Sequence, residues 1–235
     1  ALLLTGAVVV ALVAFAPGAQ FEAIRRLAGF GPDRLAGAPP VPDSGEPYAF
    51  VQEVGGQPVG YDPCLPIRFE VNTAHAPSDW RTLVDTAVAH TEEATGLRFE
   101  DDGLTTDRDF FDRRTGLGGR PLPVLIGWSD SVEEPGLAGD VAGLGGSSPG
   151  APTGLGRVHF VTGSVLLDSD AYDRPVRTPR DAAARQAIID HEFGHLVGLD
   201  HVQDPGELMN PELAATTYGP GDLEGLARLG NVPCG

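Results

Sequence analysis

The sequence predicts an α+β domain in which a mixed sheet packs on helices, and three patterns lead to this class. Residues 66–72 (PIRFEVN) alternate apolar and polar side chains, as a half-buried strand does. Residues 79–95 place apolar side chains on one face of a helix. Thr178 and Pro179 suit the N-cap and first position of a second helix, with Asp181 in its first turn.

Short strands surround the first helix in the N-terminal half of the folded region. Residues 49–62 predict a small hairpin that turns in its glycine pair. Ser78 is the expected N-cap of the helix over 79–95, and Gly96 is expected to end it. Residues 97–100 predict a short strand after that helix.

Two further strands and two helices are predicted in the C-terminal half. They are residues 123–128, 157–167, 179–197 and 222–229. Gly198 can adopt the left-handed conformation that ends the first of these helices. Residues 101–120, which are mostly polar, and residues 135–156, which are rich in Gly and Pro, are predicted to be loops.

The charge of the chain argues against a nucleic-acid partner. Its formal net charge is −17, and its 16 basic residues are all arginines that do not cluster in one run. Phosphate contacts need grouped basic side chains, so a nucleic-acid interface is not expected. The acidic residues are scattered as well, which indicates a solvated surface and a monomeric protein.

The N-terminal residues predict export. Residues 1–16 contain no charged side chain, which suits a signal peptide or an uncleaved membrane anchor, with a buried core helix as the alternative. Residues 17–47 are rich in Pro and Gly and predict a linker. Residues 48–235 are then one domain, secreted or held at the outer face of a membrane.

Two cysteines, Cys64 and Cys234, lie near the two ends of this domain. Two cysteines in an exported chain favour a disulfide between them. The alternative makes Cys64 a metal ligand that blocks a site in a latent form.

Residues 191–201 (HEFGHLVGLDH) carry the strongest chemical pattern in the chain. His191 and His195 are one helical turn apart, so both imidazoles lie on one face and can reach one zinc ion. A turn at Gly198 can bring His201 back to the same ion. Three histidines leave a fourth position for water, which is the arrangement of a catalytic zinc site.

Glu192 follows the first of these histidines and suits the role of general base. Its carboxylate would take a proton from the attacking water and pass it to the leaving amine of a peptide. Accidental histidines, or a metal site without catalysis, are the plainer alternatives. The ligand set together with its acid favours catalysis.

The same residues resemble the extended zinc signature of the metzincin metallopeptidases. Those enzymes have a Met-containing turn under the metal, and Met209, the single Met of the chain, follows at a suitable distance. Residues 193–194 and 198–201 are most similar to the matrixin, or matrix-metalloproteinase, branch. Val202 departs from that branch, in which a Ser is usual, and residues 1–60 lack its cysteine-switch motif.

The resemblance implies both a fold and a way of binding substrate. The fold would be a twisted, mostly parallel sheet of about five strands with three helices. An edge strand would pair with an extended peptide, and residues 211–218 would form a wall of the specificity pocket. Asp222 would tie the last helix to the Met-containing turn.

Additional metal sites are less clearly indicated. His159 faintly resembles a ligand of the matrixin structural zinc, and a histidine on a strand is the alternative. Three closely spaced acids, Asp168, Asp170 and Asp173, could bind Ca²⁺, or could be solvated loop carboxylates.

Three functions fit these patterns. The first is an exported zinc endopeptidase that cuts extended peptides, with residues 48–235 as its catalytic domain. The second is a catalytically silent zinc-binding module of the same fold. The third is a zinc hydrolase that acts on cell-wall peptides. The complete ligand set with Glu192 favours the first.

Overall fold

The computed structural model describes residues 33–113, 120–150 and 157–235. Residues 1–16, where a signal peptide or anchor is predicted, and the first part of the predicted linker lie outside this range. Within the described residues, no helix is long and apolar enough to cross a bilayer.

The described residues form nine short strands and four helices, which are interleaved along the chain. The strands are β1 (Ala49–Phe50), β2 (Glu53–Val54), β3 (Gln57–Pro58), β4 (Ile67–Val71), β5 (Phe99–Leu104), β6 (Val124–Ser129), β7 (Gly143–Pro149), β8 (Phe160–Asp168) and β9 (Leu199–Asp200). The helices are α1 (Trp80–Thr95), α2 (Ser169–Tyr172), α3 (Pro179–Val197) and α4 (Pro220–Gly230). A 3-10 turn covers Pro135–Leu137.

The main sheet has five strands in the order β5-β4-β6-β8-β7. Neighbouring strands from β5 to β8 run parallel, and only β7 is antiparallel to its neighbour β8. Two small antiparallel pairs, β1 with β9 and β2 with β3, lie outside it. The predicted mixed, mostly parallel sheet with three long helices is therefore confirmed, and α2 adds a single helical turn.

Helix α3 packs on the main sheet through a stripe of apolar residues. It contacts β7 and β8 and also lies against α1. Its fully buried apolar side chains recur at spacings of three and four residues and are Ile189, Phe193, Leu196 and Val197. Burial of each large apolar side chain stabilises the fold by about 1.5–3 kcal/mol. This stripe fixes the rotation of α3 under the edge of the sheet.

The ends of α3 follow the sequence prediction closely. Thr178 and Asp181 form a reciprocal capping box at its start, and Pro179 occupies the first turn. Gly198 ends the helix with a φ of 124°. A residue with a side chain is strained at that φ, so glycine is needed where the chain turns away from the helix.

The prediction of a loop over residues 135–156 is wrong for its middle part. Residues 143–149 form β7, which pairs with β8 from Gly143 opposite Leu167 to Pro149 opposite Phe160. A glycine-rich strand shows no alternation of apolar and polar side chains, so its sequence does not reveal it. Pairing with β8 and packing on α3 define this strand instead.

Other boundaries also move. β5 continues to Leu104, into the predicted loop over 101–120, because it pairs with β4 through an irregularity in the register. Ser78 is not the N-cap of α1: Asp79 occupies that position, and its carboxylate accepts hydrogen bonds from Arg185 at 2.9 and 3.0 Å. β8 begins at Phe160 rather than at residue 157.

A disulfide joins Cys64 and Cys234, whose Cα atoms are 5.7 Å apart. It closes a loop across 170 positions, which in the chain-entropy model is worth about 5 kcal/mol. Because the two sulfur atoms are bonded to each other, Cys64 does not serve as the latency ligand considered above.

The segment from 33 to 47 lies along α4. The Arg34 guanidinium donates to the carbonyl of Gly230 at 2.7 Å, and the Asn231 side chain donates to the carbonyl of Pro39 at 2.9 Å. The backbone N–H and hydroxyl of Ser44 both donate to the carboxylate of Glu224. This part of the predicted linker is thus packed against the domain.

Candidate metal centre

Three histidine nitrogens meet at one point beside α3. The Nε2 atoms of His191 and His195 are 3.1 Å apart, because a spacing of four residues stacks the two rings on one helical face. The Nε2 atom of His201 lies 3.1 Å from each of them. The sequence-predicted ligands are therefore brought together as an equilateral triangle of nitrogens.

The turn at Gly198 places the third histidine. A side chain there would come within 3.0 Å of the carbonyl of Val59 and 2.9 Å of Leu229. The chain then runs back as β9, in which Leu199 pairs with Phe50 of β1. Asp200, the residue before His201, pairs in the same way with Ala49, so β1 holds the segment that leads into the third histidine. The sequence pattern does not predict that β1 pairs with β9.

Backbone carbonyls fix the protonation of two of the rings. The Nδ1 of His191 lies 2.7 Å from the carbonyl oxygen of Leu208, and the Nδ1 of His195 lies 2.8 Å from that of Leu199. A carbonyl only accepts, so each Nδ1 carries the proton and each Nε2 presents a lone pair. Lone pairs 3.1 Å apart repel one another unless a cation lies between them.

Burial keeps the same rings neutral. It lowers the pKa of His191 to about 4, with the neighbouring His195 adding to the effect. Burial also lowers the pKa of His195. Neutral imidazole is the form that ligates metal, so these two rings need no deprotonation to bind an ion near pH 7.

The triangle fits zinc. Its centre is about 1.8 Å from each Nε2, slightly less than the zinc–nitrogen distance of about 2.0–2.1 Å. Three imidazole nitrogens at this separation would hold a zinc ion and would leave one coordination position for water. Nitrogen-only ligation favours zinc over Ca²⁺ or Mg²⁺, which prefer oxygen.

Two other metal sites considered from sequence are not formed among the described residues. No ligand cluster there includes His159, or combines Asp168 with Asp170 and Asp173. The carboxylate of Asp168 instead caps α2 by accepting from the backbone N–H of Asp170. The expected Ca²⁺ site therefore has no support.

Glu192 is buried beside the first ligand. Its side chain faces the edge strand β7 next to Gly143. Burial raises its pKa to about 8, and the backbone N–H of Gly145 opposes this rise. A carboxyl group with such a pKa can both accept and return a proton near neutral pH. A bound cation would favour its ionised form.

Met209 lies under α3, as the sequence predicted for the turn below the metal. It is fully buried, and its sulfur would be only 2.5 Å from a side-chain carbon placed on Gly194. Gly194 therefore lets the thioether approach the helix between the two ligand histidines. The backbone N–H of Val202 donates to the carbonyl of Met209 at 3.1 Å, which joins this turn to the segment after His201.

Two buried carboxylates fasten the Met209 turn to α4. Asp222 accepts from the backbone N–H groups of Leu208 and Met209. Glu207 accepts from those of Gly221 and Asp222, at the start of α4. The resemblance implied the role of Asp222, whereas Glu207 was not singled out from sequence. The sequence offers one sign of this role, since Glu207 is an acidic residue two positions before Met209.

The proposed pocket wall is also tied to α3. Tyr218, at the end of residues 211–218, donates from its hydroxyl to the carbonyl of Asp190 at 2.6 Å. The buried carboxylate of Asp190 accepts from Gln186 and lies 2.9 Å from the Nδ1 of His90. The helix that carries the histidines is thereby linked both to this wall and to α1.

Comparisons with known proteins add little. No family model and no curated protein matches the chain. Among the solved structures that match is archaemetzincin from Methanopyrus kandleri, with a TM-score of 0.43 and 16% sequence identity. The match covers 70% of this chain and 95% of archaemetzincin. Both values are low, so the geometry of the site alone carries the functional proposal.

Proposed function

We propose that this protein is a zinc-dependent endopeptidase. One observation carries the proposal. Three Nε2 atoms converge at 3.1 Å, two of them with lone pairs directed inward by carbonyls on the far side of the ring, and a buried carboxylate follows the first ligand. A fixed ligand set with an open corner and an adjacent acid is what hydrolysis of an amide requires.

The residues divide the chemistry between them. Zinc, when bound, would lower the pKa of water and polarise the carbonyl of the scissile peptide. Glu192 would accept the proton of the attacking water and deliver it to the leaving nitrogen. His191, His195 and His201 would hold the ion, and the carbonyls of Leu208 and Leu199 would keep two of the rings oriented.

The edge of the sheet supports an extended peptide as the substrate. Among the described residues, β8 is the one strand that pairs with β7, which lies directly on α3 with its first residues facing Glu192. A peptide added along Gly143–Gly145 would place a backbone carbonyl near the histidines. The segment 211–218 would then contact a substrate side chain. Within the metzincins, the resemblance of residues 193–194 and 198–201 favours a matrixin-like enzyme.

The cellular setting follows from other parts of the chain. The disulfide between Cys64 and Cys234 supports an oxidising compartment. Together with the apolar residues 1–16, this favours a secreted or membrane-anchored extracellular protein that works as a monomer. The net charge of −17 supports a protein or peptide partner rather than a nucleic acid.

The decisive experiment compares the full chain with Glu192→Gln. An unfolded protein substrate should be cut by the zinc-loaded chain, and the variant should lose cleavage by about 10²–10⁴-fold. Zinc content should stay at one ion per chain in both proteins. Glu93→Gln, which changes an exposed glutamate on α1, is the matched control and should cleave normally. Undiminished cleavage by Glu192→Gln would refute the assigned base.

A further inference from the structure

The edge strand β7 crosses α3 at Glu192. Residues 143, 145 and 147 face the helix, since Gly143 and Gly145 approach Glu192 and the hydroxyl of Ser147 donates to the carbonyl of Leu196 at 2.7 Å. The intervening residue Leu144 packs into a separate apolar cluster on the other face of the sheet. Two glycines thus flank one acidic side chain.

Gly143 leaves the space that the Glu192 side chain occupies. A side-chain carbon on Gly143 would lie 2.7 Å from Cγ, 2.9 Å from Cδ and 2.9 Å from Oε1 of Glu192. These are the three nearest atoms, and all belong to the reactive end of that residue. Gly145 is close in another way: its added carbon would collide with the backbone carbonyl of Glu192.

The strand cannot easily move away to make room. β7 is paired with β8 over seven residues, and the Ser147 hydroxyl is fixed both to α3 and to the hydroxyl of Tyr61, 2.6 Å away. A new side chain at 143 would therefore displace the flexible carboxylate and not the backbone. A side chain at position 145 would force α3 and β7 apart, because its first carbon would collide with backbone atoms of Glu192.

We propose that Gly143 and Gly145 are positioning residues for Glu192. Gly143 sets the place of the carboxylate by leaving that space open, and Gly145 lets β7 lie against the backbone of α3 at Glu192. The inference rests on the proposed function, since it assigns Glu192 the role of base. Beyond that function, two residues of β7 are assigned the role of determining the position of the Glu192 carboxylate.

The first test uses Gly143→Ala with Gly146→Ala as the matched control. A carbon added to Gly146 meets nothing within 4 Å, so the same strand receives the same methyl group without touching Glu192. Gly143→Ala should lower kcat by about 10–100-fold, because a displacement of about 1 Å can cost about 10²-fold. KM and zinc content should stay within about two-fold of the parent values. An equal loss in Gly146→Ala would overturn the proposal.

The second test repeats Gly143→Ala in a Glu192→Asp background. Aspartate is one methylene shorter and frees the space that the new methyl group needs. The loss caused by Gly143→Ala should then shrink to less than about three-fold, which is the coupling expected of groups in contact. The same loss in both backgrounds would show that the alanine acts elsewhere, and the proposal would fail.

A third measurement does not depend on activity. Crystal structures of zinc-loaded Gly143→Ala and Gly146→Ala should show the Glu192 carboxylate displaced in the first and unchanged in the second. An undisplaced carboxylate in Gly143→Ala would refute the positioning role even if cleavage fell. Absence of cleavage by the parent protein, with the displacement present, would instead refute only the proposed function.

Discussion

The carboxylate of Asp222 accepts a hydrogen bond of 2.5 Å from the backbone N–H of Leu208. The backbone carbonyl of Leu208 in turn accepts a hydrogen bond from the Nδ1 of His191. A single residue therefore stands between the last helix and the first proposed metal ligand. The position of the ring depends on a carboxylate that never approaches the ion.

Asp222→Ala should therefore weaken both the fold and the site. The change leaves the buried N–H groups of Leu208, Met209 and Gly219 without their acceptor. We expect a loss of about 2–4 kcal/mol in the free energy of unfolding, measured in urea. Zinc affinity, measured against a competing chelator, should fall by about 10–100-fold. Glu212→Ala, on an exposed residue, should change neither quantity.

Removal of the metal should lower thermal stability. An ion present at about 1,000 times its dissociation constant stabilises the folded state by about 4 kcal/mol, which corresponds to about 8–16 °C for a domain of this size. Scanning calorimetry before and after chelation measures the shift. Added zinc should restore the original transition, whereas calcium should not. Recovery with calcium alone would contradict a site built only from imidazole nitrogens.

Stability should also fall in acid through Glu224. Hydrogen bonds from the backbone N–H of Ser44, from Arg228 and from the Ser44 hydroxyl lower the pKa of this carboxyl from 4.5 to about 2. Because the folded pKa is depressed, the ionised form stabilises the fold above about pH 4.5. That contribution is lost as the pH falls from 4.5 toward 2.

Thermal unfolding between pH 6 and about pH 3 tests this dependence. Glu224→Gln should flatten the decline in melting temperature over that range. Glu93→Gln should keep the slope of the parent protein, since this glutamate lies exposed on α1. A variant at 224 with the full slope would show that the contact with Ser44 does not hold the segment from 33 to 47.

Arg113 should matter more to stability than any exposed arginine. It is buried, and its guanidinium donates to the carbonyls of Pro123 and Asp109 and to the carboxylate of Asp107. Arg113→Ala should cost about 2–4 kcal/mol, because it removes a buried side chain and several hydrogen bonds to part-buried acceptors. Arg98→Ala, which removes an exposed pair with Glu92, should cost about 0–1 kcal/mol in the same urea titration.

The histidine helix could be predicted because its information is local. Thr178, Pro179 and Gly198 mark its ends within the chain itself, and a spacing of four residues places two ligands on one face. The prediction that His201 reaches the same ion also requires a tight turn at Gly198. The pairing of β1 with β9, which makes that turn precise in space, joins residues about 150 positions apart and leaves no local pattern.

The glycine-rich strand β7 shows why other parts were missed. Its residues lack the apolar alternation that marks strands, and Gly143 and Gly145 lie so close to α3 that a side chain at either position would meet Glu192. The sequence pattern therefore predicts a loop where the structure has the strand that contacts the proposed base. Ser78 was chosen as a helix cap on propensity alone, whereas Asp79 takes that position through its contact with Arg185 of α3.

The bond between Cys64 and Cys234 makes the intervening chain a covalent ring. All five strands of the main sheet and the three histidines of the candidate metal centre lie inside this ring. In the endopeptidase proposed above, a single internal cut between the two cysteines would open the ring without releasing a fragment. The nicked protein would gain only the mass of one water and would keep its metal ligands, so self-cleavage would become visible only after reduction.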